Sequence, residues 1–158
     1  MPVAATLVGL DPGREYHYRL VASNSSGQTV GGDKAFRIPD AAAPTGRVRA
    51  VSTDLSQVLR SRRLELLLAG AEPLTASLRA EMPPRRRRRS SRSAAKPVVV
   101  ARGKLTLNEA STQLARLRLT RAGRTRLRGL KKASLTVVAD LTDLAGNKRR
   151  VRKRIKLS

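Results

Sequence analysis

Apolar side chains along this chain recur at every second position, in short runs punctuated by glycine, proline and asparagine. In EYHYRLVASN, Tyr16, Tyr18, Leu20 and Ala22 alternate with His17, Arg19, Val21 and Ser23. That is the period of a strand with one buried and one wet face. LDPG (10–13) ahead of it predicts a tight turn, because Pro12 fixes φ and Gly13 accepts a positive one. NSSGQTVGG (24–32) predicts a glycine-bearing turn, and DKAFRIP (33–39) a short closing strand. Beyond residue 46, apolar patches of strand length return at 63–70, 73–82, 97–107, 112–120, 133–142 and 150–158. Leu117 and Leu119 alternate with Arg116 and Arg118; Leu135, Val137 and Ala139 with Thr136 and Val138; Val151, Ile155 and Leu157 with Arg152, Arg154 and Lys156. Six to seven such strands predict an antiparallel β-sandwich. RAGRTRLRGLKKA (121–133) breaks the alternation, its Leu127 and Leu130 three apart, and predicts one helical turn or a loop draped over the sandwich edge.

Charge divides the same chain in two. Residues 1–46 hold four cations and four acids, so the formal excess of +23 falls entirely on the remaining 112 residues, while Tyr16, Tyr18 and Phe36 all precede Gly46. Two compositions predict two modules, 1–39 and 47–158, joined by a linker at 40–46 within IPDAAAPTG. Of the 34 cations 26 are arginine, a bias also expected of a high-GC genome.

The residues of the first module resemble a known family. Leu10, Pro12, Gly13, Tyr16, Tyr18, Asn24 and Gly27 stand at the spacing of the second half of a fibronectin type III domain. The resemblance implies a corner tyrosine at Tyr16, whose hydroxyl bonds the backbone a few residues upstream, and core positions for Leu10 and Phe36. It covers the last three strands of such a domain, leaving an unpaired edge and an apolar face. The second module resembles an Ig-like β-sandwich repeat of secreted proteins of high-GC actinobacteria. Its carriers are L-T-x-A-G-R-x-x-L-x-G-L and a closing D-x-A-G-N hairpin at Asp143, Ala145, Gly146 and Asn147. Gly146-Asn147 is expected to supply positive φ there and Asp143 to cap the turn. The fold expected is therefore all-β: a partial fibronectin type III-like unit plus an antiparallel Ig-like β-sandwich.

Two basic blocks stand out. PPRRRRRSSRS carries Arg85, Arg86, Arg87, Arg88, Arg89 and Arg92 between prolines, which predicts a disordered arginine-rich loop at 83–96 between two strands. KRRVRKRIK (148–156) places Lys148, Arg149, Arg150, Arg152 and Arg154 on a strand. Both are candidate contacts for polyanions such as cell-wall polymers or nucleic acid. The basic module has no aromatic residue to stack on single strands and no helix-turn-helix or zinc-finger pattern, which argues against sequence-specific recognition.

Catalytic and metal chemistry find little support. The chain has no cysteine and one histidine, His17, which is expected to face solvent on the tyrosine strand. No nucleophile elbow or phosphate-cradling loop is present. Asp140 and Asp143 invite a calcium reading, but no third acid lies close in sequence, so turn capping is expected and no metal or other cofactor. No run of 18 apolar residues predicts a membrane span, and MPVAATLVGLDPG lacks the features of a secretory signal, which would leave the chain cytoplasmic if Met1 is its true start. The expectation is a non-catalytic structural or adhesion module, the C-terminal portion of a larger surface or secreted protein by resemblance, contacting other domains or surface proteins. The alternative is a basic polyanion- or nucleic-acid-binding protein acting through the arginine loop and last strand.

Overall fold

The computed structural model describes residues 3–84 and 96–158; the arginines at 85–89 and 92 lie outside the described residues. The fold is mostly antiparallel β-structure with two short helices. Residues 46–158 form one continuous seven-stranded antiparallel sheet that folds over a single shared core as two layers. Strands β5 (Gly46–Ala50), β6 (Arg63–Gly70) and β9 (Ser111–Leu119) make one layer, in the order β5–β6–β9. Strands β7 (Leu74–Met82), β8 (Val98–Leu107), β10 (Ala133–Asp143) and β11 (Lys148–Leu157) make the other, in the order β8–β7–β10–β11. The layers are hydrogen-bonded to each other where Ala101 and Arg102 of β8 meet Leu119 and Arg118 of β9, and beside them Thr120 N–H reaches Val100 O at 2.9 Å. On the opposite side the end of β11 is tied back by backbone bonds, Ser158 N–H to Thr53 O at 2.8 Å and Leu55 N–H to Ser158 O at 3.0 Å.

Strict alternation fills the interior. β7 presents Leu74, Ala76, Leu78, Ala80 and Met82 inward, and β10 presents Leu135, Val137, Ala139 and Leu141. Leu64, Leu66 and Leu68 come from β6, Leu117 from β9, and Ile155 and Leu157 from β11. The core is aliphatic throughout, with alanines set among leucines so that the layers interdigitate.

Two elements of residues 46–158 have no counterpart in the sequence pattern. β5 shows only Val48 fully buried among arginines, too weak an alternation to read. The helix α1 (Leu55–Ser61) starts at Asp54, whose side chain accepts from the amides of Ser56 and Gln57, and it buries just Leu55 and Val58. The second helix, α2 (Arg121–Leu127), forms at the expected break in alternation. Thr120 caps it, its Oγ1 accepting from Gly123 N–H at 2.8 Å, and Leu127 plugs the sandwich end with no exposed surface. α2 docks on β8 where the β7–β8 register slips and Val100 is left without a partner on β7.

The N-terminal module is one bent hairpin. β1 (Glu15–Tyr18) pairs with β4 (Lys34–Arg37), and β2 (Val21–Asn24) pairs with β3 (Gly27–Val30). Between the two ladders Arg19 and Leu20 oppose three residues, Gly31 to Asp33, so a one-residue slip bends the hairpin. The turn predicted at 24–32 is shorter than expected, because Gly27–Val30 pairs with β2. Residues 3–14 contain no strand, so the unit has two long arms rather than three strands. Val3, Leu7 and Val8 stay exposed there, with no sheet among the described residues to receive them.

Gly123 provides a test of the α2 docking. A Cβ at this position would stand 2.0 Å from the Val100 carbonyl oxygen and 2.6 Å from its Cα, both backbone atoms. In a free helix alanine is favoured over glycine by about 1 kcal/mol. Here Gly123→Ala is expected to destabilise instead, by about 1–3 kcal/mol as an overpacked site does, read as a lowered midpoint in thermal or urea denaturation.

Candidate functional site

Five of the seven cations of the last strand form a row on one face, while Arg149 and Lys153 stand on the alternate positions and are exposed there. With Val151, Ile155 and Leu157 turned inward, Lys148, Arg150, Arg152, Arg154 and Lys156 line the outer face of β11 at every second residue, about 6.7 Å apart. Register carries the row across the sheet. Arg150 stands opposite Asp140, and Asp140 opposite Ser77; Arg152 stands opposite Val138, and Val138 opposite Arg79. Beyond them β8 adds Arg102 beside Arg79 and Lys104 beside Ser77. One face of the four-stranded layer thus carries, among the described residues, eight cations against two carboxylates, Asp140 and Glu81.

These two carboxylates sit in the middle of the positive field. Arg79 donates to Glu81 Oε1 at 2.6 Å and also to Asp140, which receives Arg150 on its other oxygen. The hydrogen bond from Arg150, followed by that from Arg79, holds the Asp140 carboxyl below its ordinary range despite partial burial. Val138, on the same outer face, is buried apart from the main core cluster, with Arg79 and Arg152 as its register neighbours on either side.

The predicted polyanion contacts are therefore only partly brought together. Lys148, Arg150, Arg152 and Arg154 share the face, joined by Lys156 of the same charge run and by Arg79, Arg102 and Lys104, which no charge run in the sequence singles out. Arg149 departs from it: its odd register turns it toward β5, where it lines a cleft with Thr45, Gly46 and Arg47. Arg85, Arg86, Arg87, Arg88, Arg89 and Arg92 lie outside the described residues, but Pro83, Pro84 and Pro97, which flank their segment, share a depression with Arg154 at one end of the face.

The residues quoted for the hairpin resemblance fall in one cluster. The Tyr16 hydroxyl accepts from the Asp11 amide five residues upstream at 2.7 Å. Tyr16 stacks on Phe36 with ring centres 5.9 Å apart, and Tyr18 meets Phe36 edge-on at 6.0 Å, so all three aromatic rings of the chain pack together between β1 and β4. Leu10 and Phe36 are only half-buried. Asn24 Oδ1 accepts from the Ser26 amide across the tight turn before Gly27. Gly13, at φ 76°, lies against Ala145 of the β10–β11 turn, and its N–H reaches Ile38 O at 2.9 Å. His17 is exposed, its Nδ1 2.6 Å from Asp33 and its Nε2 3.5 Å from Glu15, so both ring nitrogens face carboxylates.

The β10–β11 turn has the predicted cap and an unpredicted tie. Asp143 Oδ1 accepts from the Asn147 amide at 2.9 Å, and Gly146 takes φ 91°. Asn147 does not share the positive φ expected of it. Its side chain instead donates to the Asp40 carbonyl at 3.0 Å, while Arg37 reaches Gly13 O and Leu144 O. The hairpin, the linker and the sandwich are thereby bound at one junction. There Asp40, Glu72 and Asp143 bring carboxylate oxygens within 4.8 Å of one another. Asp140 takes no part; three residues from Asp143, it lies on the opposite side of β10.

Among the described residues no helix is long and apolar enough to cross a membrane. No protein-family model matches the chain, and no curated protein is significantly similar to it.

Two titrations follow from these contacts. The hydrogen bond to Asp33 raises the His17 pKa above 6.5, so the pair adds stability that is complete below the unfolded value and lost as pH rises through the folded one. NMR titration of the His17 ring should give a pKa above 6.5, and Asp33→Asn should bring it down. Asp140 has the opposite sign: its stabilisation exists above the unfolded value of about 3.9 and fades as pH falls through the lowered folded one. Denaturation midpoints of Asp140→Asn should lie below those of the parent at pH 6 and converge with them toward pH 2.

Proposed function

We propose that the chain is a non-catalytic β-sandwich module that adheres to polyanionic polymers through the outer face of β8–β7–β10–β11. The observation that carries this reading is the β11 row, Lys148 to Lys156, continued by Arg79, Arg102 and Lys104 with only Asp140 and Glu81 against it among the described residues. A flat sheet face studded with guanidinium groups suits repeated anionic groups on an extended polymer, each contact releasing a condensed counterion. Nothing about it reads sequence: strand side chains on a broad face reach phosphates, sulfates or carboxylates rather than the edges of bases. The three aromatic rings of the chain lie in the hairpin, on β1 and β4, and none lies on the strands of this face.

The setting in a larger surface or secreted protein rests on the fibronectin type III-like and Ig-like resemblance. Two features support it. Within the seven-stranded sheet the order β10–β7–β8–β9 is that of a Greek key, and Tyr16 bonds upstream across a proline turn. In that setting the module would act as a spacer with an adhesive side, bearing on cell-wall or matrix polymers.

Retention on heparin, double-stranded DNA and RNA columns across a salt series tests the reading. The expected result is retention on all three with a log–log salt dependence and no strong preference among them. An Arg152→Gln/Arg154→Gln variant should fold, by circular dichroism, and lose about 0.9 units of slope for each contact removed on DNA. An unchanged slope would remove the face from the proposal. Retention of one nucleic-acid sequence well above roughly 200 mM salt would favour the intracellular nucleic-acid reading instead.

A further inference from the structure

We infer that the junction between the hairpin and the sandwich is a calcium site, with Asp40, Glu72 and Asp143 as its carboxylate ligands. The three come from separate parts of the chain: Asp40 from the linker, Glu72 from the β6–β7 turn, and Asp143 from the end of β10. Their ligand oxygens lie within 4.8 Å of one another. Oxygens bound to one Ca²⁺ at about 2.4 Å are separated by at most about twice that length, so a single ion reaches all three.

An independent observation points to the ion. Asp143 is 8% exposed, and its Oδ2 is buried with no hydrogen-bond partner among the described residues. Its other oxygen is held by the Asn147 amide, which fixes the carboxylate in place and orients it. Strand parity explains the burial. Asp143 continues the inward row of β10, after Leu135, Val137, Ala139 and Leu141, and so enters the sandwich end rather than solvent. A buried carboxylate oxygen with neither proton nor cation is costly, and two further carboxylates beside it raise the cost.

The surrounding charge is the reverse of the chain's. Asp11 and Glu109 line the same cleft of about 240 Å³, so five of the eleven acidic residues of a +23 protein gather here, with Arg14 the single cation lining it among the described residues. Arg14 is engaged by Asp11 at 3.2 Å, and no ion pair among the described residues involves Asp40, Glu72 or Asp143. Thr45 N–H holds one oxygen of Glu72, and Ala42 N–H one oxygen of Asp40. Backbone amides thus position all three carboxylates, while no cationic side chain among the described residues neutralises them. An all-oxygen donor set without cysteine or histidine selects a hard cation, and Asn108 lines the same cleft, where its amide oxygen and water would complete six to eight ligands. Bound there, the ion would clamp the linker onto two turns of the sandwich. This inference does not depend on polyanion binding.

Calorimetric titration of the EDTA-treated, dialysed full chain with CaCl₂ tests it, together with thermal denaturation at constant ionic strength. One saturable site is expected, with Kd of about 10⁻⁴–10⁻³ M as in weak extracellular calcium modules. The melting midpoint should rise by roughly 5 °C in about 10 mM CaCl₂, and MgCl₂ should raise it less. Asp143→Asn keeps an oxygen for the Asn147 amide and removes the charge, so it should fold and lose the calcium response. Glu72→Gln and Asp40→Asn should each weaken binding at least about tenfold, which keeps the test decisive if Asp143→Asn fails to fold. Asp140→Asn, on the other face, should bind as the parent does. Absence of both a saturable heat and a midpoint shift at that calcium concentration would overturn the assignment. So would an undiminished response in Glu72→Gln and Asp40→Asn, or an equal effect of magnesium.

Discussion

β10 is the strand on which the rest of the molecule depends. It is paired on both sides, to β7 and to β11, over nearly its full length. Its inward row supplies the middle of the aliphatic core, and its outward row supplies the floor of the basic face. Its last residue, Asp143, begins the turn that fastens the linker. A one-residue slip of this strand would exchange the two rows, placing Asp140 in the core and Leu141 among arginines. The apolar inward row and the opposite-charge pairing of Asp140 with Arg79 and Arg150 therefore specify one register together.

The same constraint accounts for where the charge lies. A core made only of Leu, Val, Ile, Ala and one Met accepts no cation, so each basic residue of an alternating strand is forced to the surface. On β11 that produces five cations along one face, which repel one another. Water screens them, and Asp140 and Glu81 answer those nearest the centre of the sheet. With two carboxylates against eight cations among the described residues, the face keeps most of its field outward. The field is thus a product of packing geometry, and the +23 count understates how unevenly it is distributed.

Much of this was legible from period-two alternation. The six apolar patches predicted as strands are β6 to β11, each within about two residues, and the break at 121–133 is α2. The upstream hydrogen bond of Tyr16 was implied by the fibronectin type III resemblance, and the Asp11 amide makes it. The unread parts have physical reasons. β5 alternates Arg47 and Arg49 with residues as small as Gly46 and Ala50, so its apolar signal is nearly absent; it is a strand because β6 offers it a free edge. α1 is seven residues long and is held by its Asp54 cap and by Leu55 and Val58 packing on the sandwich. Asn147 looked like a residue chosen for positive φ, whereas its side-chain amide serves a carbonyl 107 positions away.

The acidic junction shows most clearly what sequence spacing conceals. Asp140 and Asp143 look like neighbours, yet three is an odd number on a strand, and parity sends one to the basic face and the other to the sandwich end. Their environments are opposite in consequence. Asp140 is surrounded by guanidinium groups and held ionised by them. Asp143 is met by carboxylates from positions 40 and 72, residues that no local motif connects to it. What joins these three is topology: the β6–β7 turn, the β10–β11 turn and the linker all arrive at the same end of the sandwich. Proximity there follows from which strands pair, and sequence alone reveals pairing only after the fold is known.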